Sequence, residues 1–254
     1  MRLKEKTKQK LIKRIKEDVS INNISKEMGL AKSTIYYYYK KIKGRKFKKL
    51  NLKPGYSRRE GEIVGIFAGD GSQYYNKKHC AYQVNVHFGK KNKDYMEYVK
   101  RLYELYFKKK FNITKEERTI KIRTRSKEIY NYFHHYIDFK PQIKHCTVKL
   151  KTLDLSMEFK LGFLKGFVDT DGSVLLKKQR KKIRVAFYTT SEALANQIRD
   201  ILSEIDIKCG VYIRKKEGLK DCYTVQLRQR HVIKFLNVVK PFKMCKLRAN
   251  SSAR

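Results

Sequence analysis

Residues 62–72 read Glu-Ile-Val-Gly-Ile-Phe-Ala-Gly-Asp-Gly-Ser, and residues 161–173 read Leu-Gly-Phe-Leu-Lys-Gly-Phe-Val-Asp-Thr-Asp-Gly-Ser. Each stretch is an apolar run that contains glycine and ends in Asp-Gly-Ser. Small residues recur at every fourth position, at 61, 65 and 69 in the first copy and at 162, 166 and 170 in the second. On a helix these positions share one face, and two such faces let two backbones approach closely. We therefore predict a pair of helices packed through their small residues.

A parallel pair of these helices would place their last residues side by side. Asp70 and Asp171 would then be neighbours, and each is followed by a glycine, Gly71 or Gly172. Glycine suits the left-handed residue that ends many helices, so we predict that conformation at both glycines. A single Asp-Gly at a helix end is usually an ordinary C-cap. Two of them, each ending a glycine-striped helix, indicate a shared acidic site.

The sequence around the two stretches also repeats. Asp70 and Asp171 lie 171 − 70 = 101 residues apart, and Lys140-Pro141 lies 100 residues before Lys240-Pro241. After each Asp-Gly-Ser, strands with a period of two alternate with helices whose apolar residues have helical spacing. The repeat predicts an α+β fold, a duplicated αββαββα unit with a pseudo-two-fold axis.

One pair of predicted strands shows a useful alternation. Residues 119–125, Thr-Ile-Lys-Ile-Arg-Thr-Arg, match residues 224–230, Thr-Val-Gln-Leu-Arg-Gln-Arg. Apolar residues point to one face, and basic or polar residues point to the other. Such a face is often simply solvated, but arginine and glutamine can read base edges in a major groove, and lysine can contact phosphates. We predict DNA contact by the polar sheet residues Gln83, Asn85, His87, Lys121, Arg123, Arg125, Arg184, Gln226, Arg228 and Arg230.

The composition favours an anionic partner. The net charge is +38, from 62 Lys and Arg against 24 Asp and Glu. Because the charge is spread along the chain with aromatic residues mixed into it, nucleic acid is a better partner than a membrane surface. No apolar run approaches 18 residues, and no signal-peptide core begins the chain. We therefore expect a cytoplasmic, nucleoid-associated prokaryotic protein without a membrane partner.

The cysteines do not have zinc-finger spacing, because no Cys-x-x-Cys pair is present. Reduced, mostly buried thiols in a cytosolic protein are the expected state. The five residues are Cys80, Cys146, Cys209, Cys222 and Cys245.

Residues 8–42 predict three helices with a turn at Gly29, which is the order of a helix-turn-helix unit. Residues 25–36, Ser-Lys-Glu-Met-Gly-Leu-Ala-Lys-Ser-Thr-Ile-Tyr, resemble the repressor and resolvase type of this motif. In that type the last helix enters the major groove. The resemblance implies DNA contact by Lys32, Ser33, Thr34, Tyr37 and Lys40. The alternative is a packing unit whose tyrosines are core, and at least one of the tyrosines at 36–39 must be core.

These patterns divide the chain into four parts. Residues 1–43 are a small all-α helix-turn-helix domain, and residues 44–56 are a basic linker that contains Gly44 and Pro54. Ser57 and Glu60 form a capping box before the first motif helix. Residues 57–152 are the first lobe and residues 153–254 the second.

Residues 63–71, Ile-Val-Gly-Ile-Phe-Ala-Gly-Asp-Gly, and 164–172, Leu-Lys-Gly-Phe-Val-Asp-Thr-Asp-Gly, resemble the nine-residue pattern of the LAGLIDADG homing endonucleases. The resemblance is to the single-chain form with two motifs and covers about residues 57–250. Both copies keep the last acid, whereas the inner acid is Asp169 in the second copy and Ala68 in the first. The resemblance implies a monomeric enzyme that hydrolyses phosphodiester bonds in a long double-stranded DNA target. Intron homing, from an intron-encoded or free-standing gene, would be its role, with no small-molecule substrate.

By the same resemblance, Asp70 and Asp171 are catalytic and bind Mg²⁺ (or Mn²⁺), with help from the backbone of Gly69 and Thr170. Hard oxygen ligands suit Mg²⁺, which also takes phosphate oxygens. The metal would activate water and stabilise the leaving 3′ oxygen.

The family also places a basic residue near each site. Lys246, five residues beyond Pro241, matches it in the second lobe, whereas the equivalent position in the first lobe is Cys146. Lys144 or Lys149 are the alternatives there. A single basic group would favour nicking or unequal strand cleavage. Some members have a glutamine after the second strand, where this chain has Asn92 and Ser191, with Gln83 as a substitute.

Two rival functions use the same fold. One is an RNA splicing maturase, and the other is a transcriptional regulator that has lost the chemistry. Retention of both motif acids favours cleavage over either, because neither rival needs them.

Overall fold

The computed structural model describes residues 3–43, 50–76, 81–177, 182–215, 217–218 and 220–244. The chain divides into two units, Met1–Leu50 and Asn51–Arg254. Within the described ranges, no helix has the length and apolarity needed to cross a bilayer.

The N-terminal unit contains the three predicted helices, α1 (Glu5–Lys16), α2 (Ile21–Met28) and α3 (Lys32–Lys43). Gly29 ends α2 with a φ of 63°, in the left-handed conformation that glycine adopts readily. The core of the unit consists of fully buried Leu11, Ile15, Ile24 and Ile35.

The four consecutive tyrosines of α3 divide between core and surface. Tyr38 and Tyr39 pack against the core of the unit. Tyr37 is 49% exposed. The expectation of at least one core tyrosine is therefore confirmed, and DNA contact by this unit stays a prediction.

Two lobes follow, and both have the predicted order αββαββα. The first contains α4 (Arg58–Asp70), β1 (Gly71–Asn76), β2 (Ala81–Gly89), α5 (Lys93–Phe107), β3 (Asn112–Lys115), β4 (Thr119–Arg125) and α6 (Lys127–Phe133). The connection contains β5 (Ile137–Asp138), α7 (Lys144–Thr147) and β6 (Lys149–Leu150). The second contains α8 (Met157–Asp171), β7 (Gly172–Lys177), β8 (Lys182–Thr189), α9 (Glu192–Glu204), β9 (Cys209–Arg214), β10 (Cys222–Leu227) and α10 (Val232–Val239).

Each lobe has one four-stranded antiparallel sheet, in the order β1-β2-β4-β3 or β7-β8-β10-β9. In β4, buried Ile120 and Ile122 alternate with Lys121 and Arg123, which are partly exposed. The predicted division into an apolar face and a polar face is confirmed. Helices pack against both sheets.

The predicted alignment of residues 119–125 with residues 224–230 is displaced by two residues from the alignment of β4 and β10 in the structure. Gly71 faces Val86, which faces Ile122, whereas Gly172 faces Phe187, which faces Val225. Ile122 therefore corresponds to Val225, and the match through the two threonines does not hold.

Arg228 and Arg230, which the sequence predicted to lie on this strand, both lie beyond its end. β10 ends at Leu227, and Arg230 lies in the 3-10 turn Gln229–His231. Arg228 precedes this turn in extended conformation and is exposed.

The motif helices α4 and α8 pack in parallel, backbone against backbone. A Cβ atom on Gly61 would lie 2.0 Å from the carbonyl oxygen of Phe159, and one on Gly65 would lie 2.3 Å from that of Phe163. In the reverse direction, a Cβ atom on Gly166 would lie 2.2 Å from the carbonyl oxygen of Glu62. The predicted glycine-mediated pairing is confirmed.

The glycines after the two acids are not left-handed, contrary to the prediction. Gly71 and Gly172 have φ values of −78° and −115°, and each begins a strand directly after its helix. Glycine is needed for space instead, because a Cβ atom on Gly71 would lie 2.3 Å from the ring of Phe67. On Gly172 it would lie 2.7 Å from Val168.

Glu60, in the first turn of α4, hydrogen-bonds to other parts of the first lobe. It forms the predicted capping box with Ser57 and is only 2% exposed. Its carboxylate accepts hydrogen bonds from the N–H of Gly55 (2.8 Å) and the hydroxyls of Tyr106 (2.6 Å) and Tyr136 (3.0 Å). Burial acts to raise the pKa of Glu60, but hydrogen bonds from Tyr106, Ser57 and Gly55 lower it to about 2.

Acid is therefore expected to destabilise the first lobe through Glu60. Its pKa is lowered from the ordinary 4.5, so its contribution is fully present above about pH 4.5 and is lost as the pH falls towards 2. The shift corresponds to roughly 3 kcal/mol of unfolding free energy. Glu60→Gln should lose this amount at pH 7 and show a flatter acid limb in urea unfolding. Exposed Glu97→Gln is the matched control, and identical acid limbs for wild type and Glu60→Gln would contradict the assignment.

Candidate active site

The paired helices bring the two motif acids to one place. A Cβ atom on Gly69 would lie 2.2 Å from Thr170 Oγ1 and 3.3 Å from Asp171 Oδ2, so the last turns of α4 and α8 are in contact. Asp70 is half-buried there, and Asp171 is exposed. The sequence predicted this juxtaposition from the glycine spacing alone.

The two carboxylates are electrostatically coupled. Burial raises the pKa of Asp70 to about 7, and the charge of Asp171 adds to this, whereas Lys144 and Lys243 act in the opposite direction. Desolvation by the surrounding protein also raises the pKa of the Asp171 carboxyl, although part of this residue reaches solvent. Two carboxylates that share a partly desolvated site repel each other, and a bound cation would relieve that repulsion.

A lysine caps the end of each motif helix. Lys144 Nζ donates to the carbonyl oxygens of residues 67, 68 and 69, at 2.9, 2.6 and 2.7 Å. Lys243 Nζ donates to those of residues 168, 170 and 172, at 3.0, 3.2 and 2.6 Å. The last carbonyls of a helix have no intrahelical donor and carry the negative end of its dipole. The two ammonium groups therefore occupy matching positions beside the acids.

The lysines were only partly predicted. Lys144 was one of two alternatives for the first lobe, and the other, Lys149, is exposed on β6. Lys246 lies outside the described residues, so its role stays a prediction. Lys243 was missed because counting from the proline assumed equal spacing, whereas Lys144 lies three residues after Pro141 and Lys243 two after Pro241. Since each helix end has a lysine, the asymmetry that suggested unequal strand cleavage is absent there.

The serine of each Asp-Gly-Ser joins the helix end to the polar face of the sheet. Ser72 Oγ is hydrogen-bonded to His87 Nε2 (2.9 Å) and accepts from Asn85 Nδ2 (3.2 Å). Ser173 Oγ makes the equivalent contact with the Tyr188 hydroxyl (3.1 Å). Burial, with a smaller effect of Lys121, lowers the pKa of His87. These serines were not predicted, although their place in the repeated motif was a signal.

The two positions at which some members of the family have a glutamine lie at helix starts. Asn92 and Ser191 stand at the starts of α5 and α9, where Ser191 accepts a hydrogen bond from the N–H of Leu194. Gln83 donates to Asn85 Oδ1 (2.8 Å) and so belongs to the Ser72 cluster.

The predicted DNA-contact residues of the first lobe lie opposite one another on two paired strands. Gln83, Asn85 and His87 on β2 face the basic residues of β4. Their partners are Arg125, Arg123 and Lys121 respectively. Asn85 is only 6% exposed, and Lys121 is ion-paired with Glu116. Arg123 and Arg125 are therefore the more available cations.

The second lobe places Arg184 opposite Leu175 and Gln226 opposite Ala186. Among the described atoms, Arg184 Nε is buried without a hydrogen-bond partner. In the N-terminal unit, Lys32, Ser33, Tyr37 and Lys40 are exposed, and Thr34 is partly exposed.

The donor set at the helix ends fits a hard cation. It consists of two carboxylates and the carbonyl oxygens of Gly69 and Thr170, which already accept hydrogen bonds from the lysines. Oxygen ligands and room for water and phosphate suit Mg²⁺. No group of three or more His, Cys, Asp or Glu with metal-binding geometry occurs in the described part of the chain. Cys146, Cys209 and Cys222 are free thiols, but they are partly exposed rather than buried as predicted. Cys80 and Cys245 lie outside the described residues.

Comparison with known proteins agrees with this architecture. Residues 158–240 match the model of the LAGLIDADG-like domain. An uncharacterized protein of Methanocaldococcus jannaschii, MJ0314, is 28% identical over 186 residues, which cover 69% of this chain and 64% of that protein. The match thus spans less than two thirds of that relative.

Solved structures share the fold at low sequence identity. The homing endonuclease I-DmoI in complex with DNA and Mn has a TM-score of 0.56 at 20% identity, over 73% of this chain and 97% of that one. The homing endonuclease I-WcaI, bound to its DNA recognition sequence, has a TM-score of 0.52 at 16% identity, over 86% and 92%. Residues 158–240 of the second lobe thus match the LAGLIDADG-like domain, and the duplicated lobes of this chain have the fold of the LAGLIDADG homing endonucleases.

Proposed function

We propose that this protein is a Mg²⁺-dependent, site-specific endonuclease that cleaves double-stranded DNA, a homing endonuclease. The observation that carries the proposal is the arrangement at the paired helix ends. There Asp70 and Asp171 lie together, and Lys144 and Lys243 flank them on the two carbonyl caps. A binding protein needs no such pairing of acids and cations.

Asp70 and Asp171 would hold the metal through their carboxylate oxygens. A bound divalent cation supplies an activated water and stabilises the leaving 3′ oxygen. Lys144 and Lys243 balance the negative charge of the scissile phosphates. Burial lowers the pKa of Lys144 to about 8, against the opposing effect of Asp171 and Asp70, so its ammonium remains mostly charged at neutral pH.

The polar sheet faces would bind the DNA on either side of the site. Arg123, Arg125 and Arg228 are suited to guanine edges or phosphates, and Gln226 to adenine. The metal and DNA with which I-DmoI was solved, and the recognition sequence bound by I-WcaI, support the same partners for this chain. The maturase and regulator alternatives share the fold but give no role to the lysine-flanked pair of acids.

Selection of cleaved duplexes from a randomised library, in Mg²⁺, tests the proposal. We expect recovery of one long site, with no product when EDTA replaces Mg²⁺. Specific binding to a duplex without cleavage would point to the regulator, and specific binding to folded RNA alone would point to the maturase. Either result would reject the endonuclease.

We further propose that α3 of the N-terminal unit contacts the DNA backbone. Replacing Lys32 and Lys40 with alanine should lower affinity and reduce the slope of log K against log salt by about 2, because each released phosphate contact contributes about 0.9. Lys6 and Lys13, exposed on α1, provide a matched double-alanine control. The measurement is fluorescence anisotropy with the selected duplex across a salt series. An unchanged slope in the α3 variant would mean that this helix does not contact DNA.

A further inference from the structure

Asp169 is a buried carboxylate next to the candidate active site, and it has no role in the function proposed above. It is only 4% exposed and lies on α8, two residues before Asp171. Its two oxygens accept hydrogen bonds from consecutive backbone N–H groups, those of Phe242 (2.7 Å) and Lys243 (3.0 Å). The carboxylate therefore fixes the backbone of residues 242–243.

The contacts run in both directions. The side chain of residue 169 holds the backbone of residue 243, and the side chain of residue 243 holds the backbone carbonyls of residues 168, 170 and 172. A flexible lysine side chain loses considerable entropy when it is fixed. Because the hydrogen bond to Asp169 fixes the backbone of Lys243, it limits the positions that the Lys243 ammonium can reach.

The first lobe fixes its lysine differently. The position equivalent to Asp169 is Ala68, which offers no acceptor. The segment that carries Lys144 is held by its own turn, in which Thr147 Oγ1 accepts from the N–H of Lys140 (2.9 Å) and donates to the carbonyl of Ile143 (3.0 Å). Thr190 of the second lobe adds a hydrogen bond to the carbonyl of His145 (2.7 Å). The two ammonium groups thus occupy equivalent positions, but different hydrogen bonds hold the backbone segments that carry the two lysines.

We propose that Asp169 is a positioning residue that places the Lys243 ammonium, and that its effect is confined to the site that Lys243 serves. Its effect on cleavage rests on the endonuclease function proposed above, whereas its effect on Lys243 does not. Asp169→Ala removes both acceptors and reproduces the residue found in the first lobe. Asp169→Asn keeps one acceptor oxygen, so its effect on Lys243 should lie between wild type and Asp169→Ala.

The first test measures the ammonium directly. In the full-length protein, reductive methylation followed by peptide mass spectrometry gives the reaction rate of each lysine. We expect Lys243 to react roughly tenfold faster or more in Asp169→Ala, because hydrogen bonds to a charged acceptor are lost at two N–H groups. Asp169→Asn should be intermediate. Lys144 is the internal control and should react as in wild type, which also shows that α4 and α8 remain paired. An unchanged Lys243 rate, or equal acceleration of both lysines, would overturn the proposal.

The second test separates the two strands of the selected duplex. Lys144→Met and Lys243→Met identify the strand whose cleavage each lysine supports. Asp169→Ala should slow the strand that Lys243→Met slows, by roughly tenfold, and leave the other near wild type. Equal slowing of both strands would assign Asp169 a general structural role and overturn the proposal. Failure of the wild type to cleave any duplex would reject the endonuclease but leave the methylation result standing.

Discussion

Gly65→Ala is expected to abolish the native fold of the two lobes. A Cβ atom at this position would lie 2.3 Å from the carbonyl oxygen of Phe163 and 3.0 Å from the backbone nitrogen of Phe167. Backbone atoms in a helix have no rotamer to change, so the two helices must separate. Alanine is better than glycine in a helix by about 1 kcal/mol, but separating a packed interface exceeds this gain. Overpacking alone lowers the free energy of unfolding by about 1–3 kcal/mol. Separating the helices also exposes their interface to water, and we expect the total loss to approach the roughly 5–15 kcal/mol by which a domain is stable.

Urea unfolding followed by tyrosine near-ultraviolet circular dichroism measures this effect. Gly89→Ala is the matched control, because the nearest atom to its new Cβ, Asn92 Nδ2, would be 3.8 Å away. We expect the control to unfold close to wild type. A cooperative transition for Gly65→Ala within about 1 kcal/mol of wild type would mean that the helix pair tolerates wider spacing than its geometry indicates.

Asp70→Asn and Asp171→Asn are each expected to abolish cleavage while DNA binding survives. Asparagine has the same shape but no charge, so the cation loses a charged ligand and the helix pair is undisturbed. A loss of roughly a thousandfold or more in kcat is the scale for removing one stabilising group at a developing charge. Affinity for the duplex should stay the same or rise, since a negative charge beside the phosphates disappears.

Single-turnover cleavage and anisotropy on the selected duplex provide both readouts. Asp138→Asn, an exposed carboxylate on β5, is the matched control and should cleave at the wild-type rate. Cleavage by the double variant Asp70→Asn, Asp171→Asn would reject the mechanism. Loss of binding in either single variant would show that the acids organise the DNA-binding surface rather than the chemistry.

The helix pair could be predicted because its physics is local and repeated. Small residues at every fourth position leave only one face on which backbones can meet, and both copies have that spacing. The same logic predicted the neighbouring acids. The αββαββα order followed from alternating and helical periodicities, which depend on burial along each element.

Features that depend on where elements stop were harder to predict. The two-residue error between β4 and β10 arose because Thr-x-x-x-Arg recurs in both, whereas register is set by pairing with β2 and β8. Lys243 was missed because side-chain reach, rather than sequence spacing from a proline, decides which ammonium arrives at a helix end. The extended Gly71 was missed because its constraint is a contact with Phe67, which spacing does not reveal.

The long chain separation between the paired helices has a consequence for synthesis. α4 has nine buried residues, and much of that surface is covered only when α8 exists. The ribosome adds 101 residues between Asp70 and Asp171, which takes roughly 5–20 s at about 5–20 residues per second. During that interval the glycine face of α4 is exposed, and the α4 of a neighbouring nascent chain presents the same face. Crowded translation of one message should therefore favour mispaired chains, and slow initiation should raise the yield of correctly paired protein.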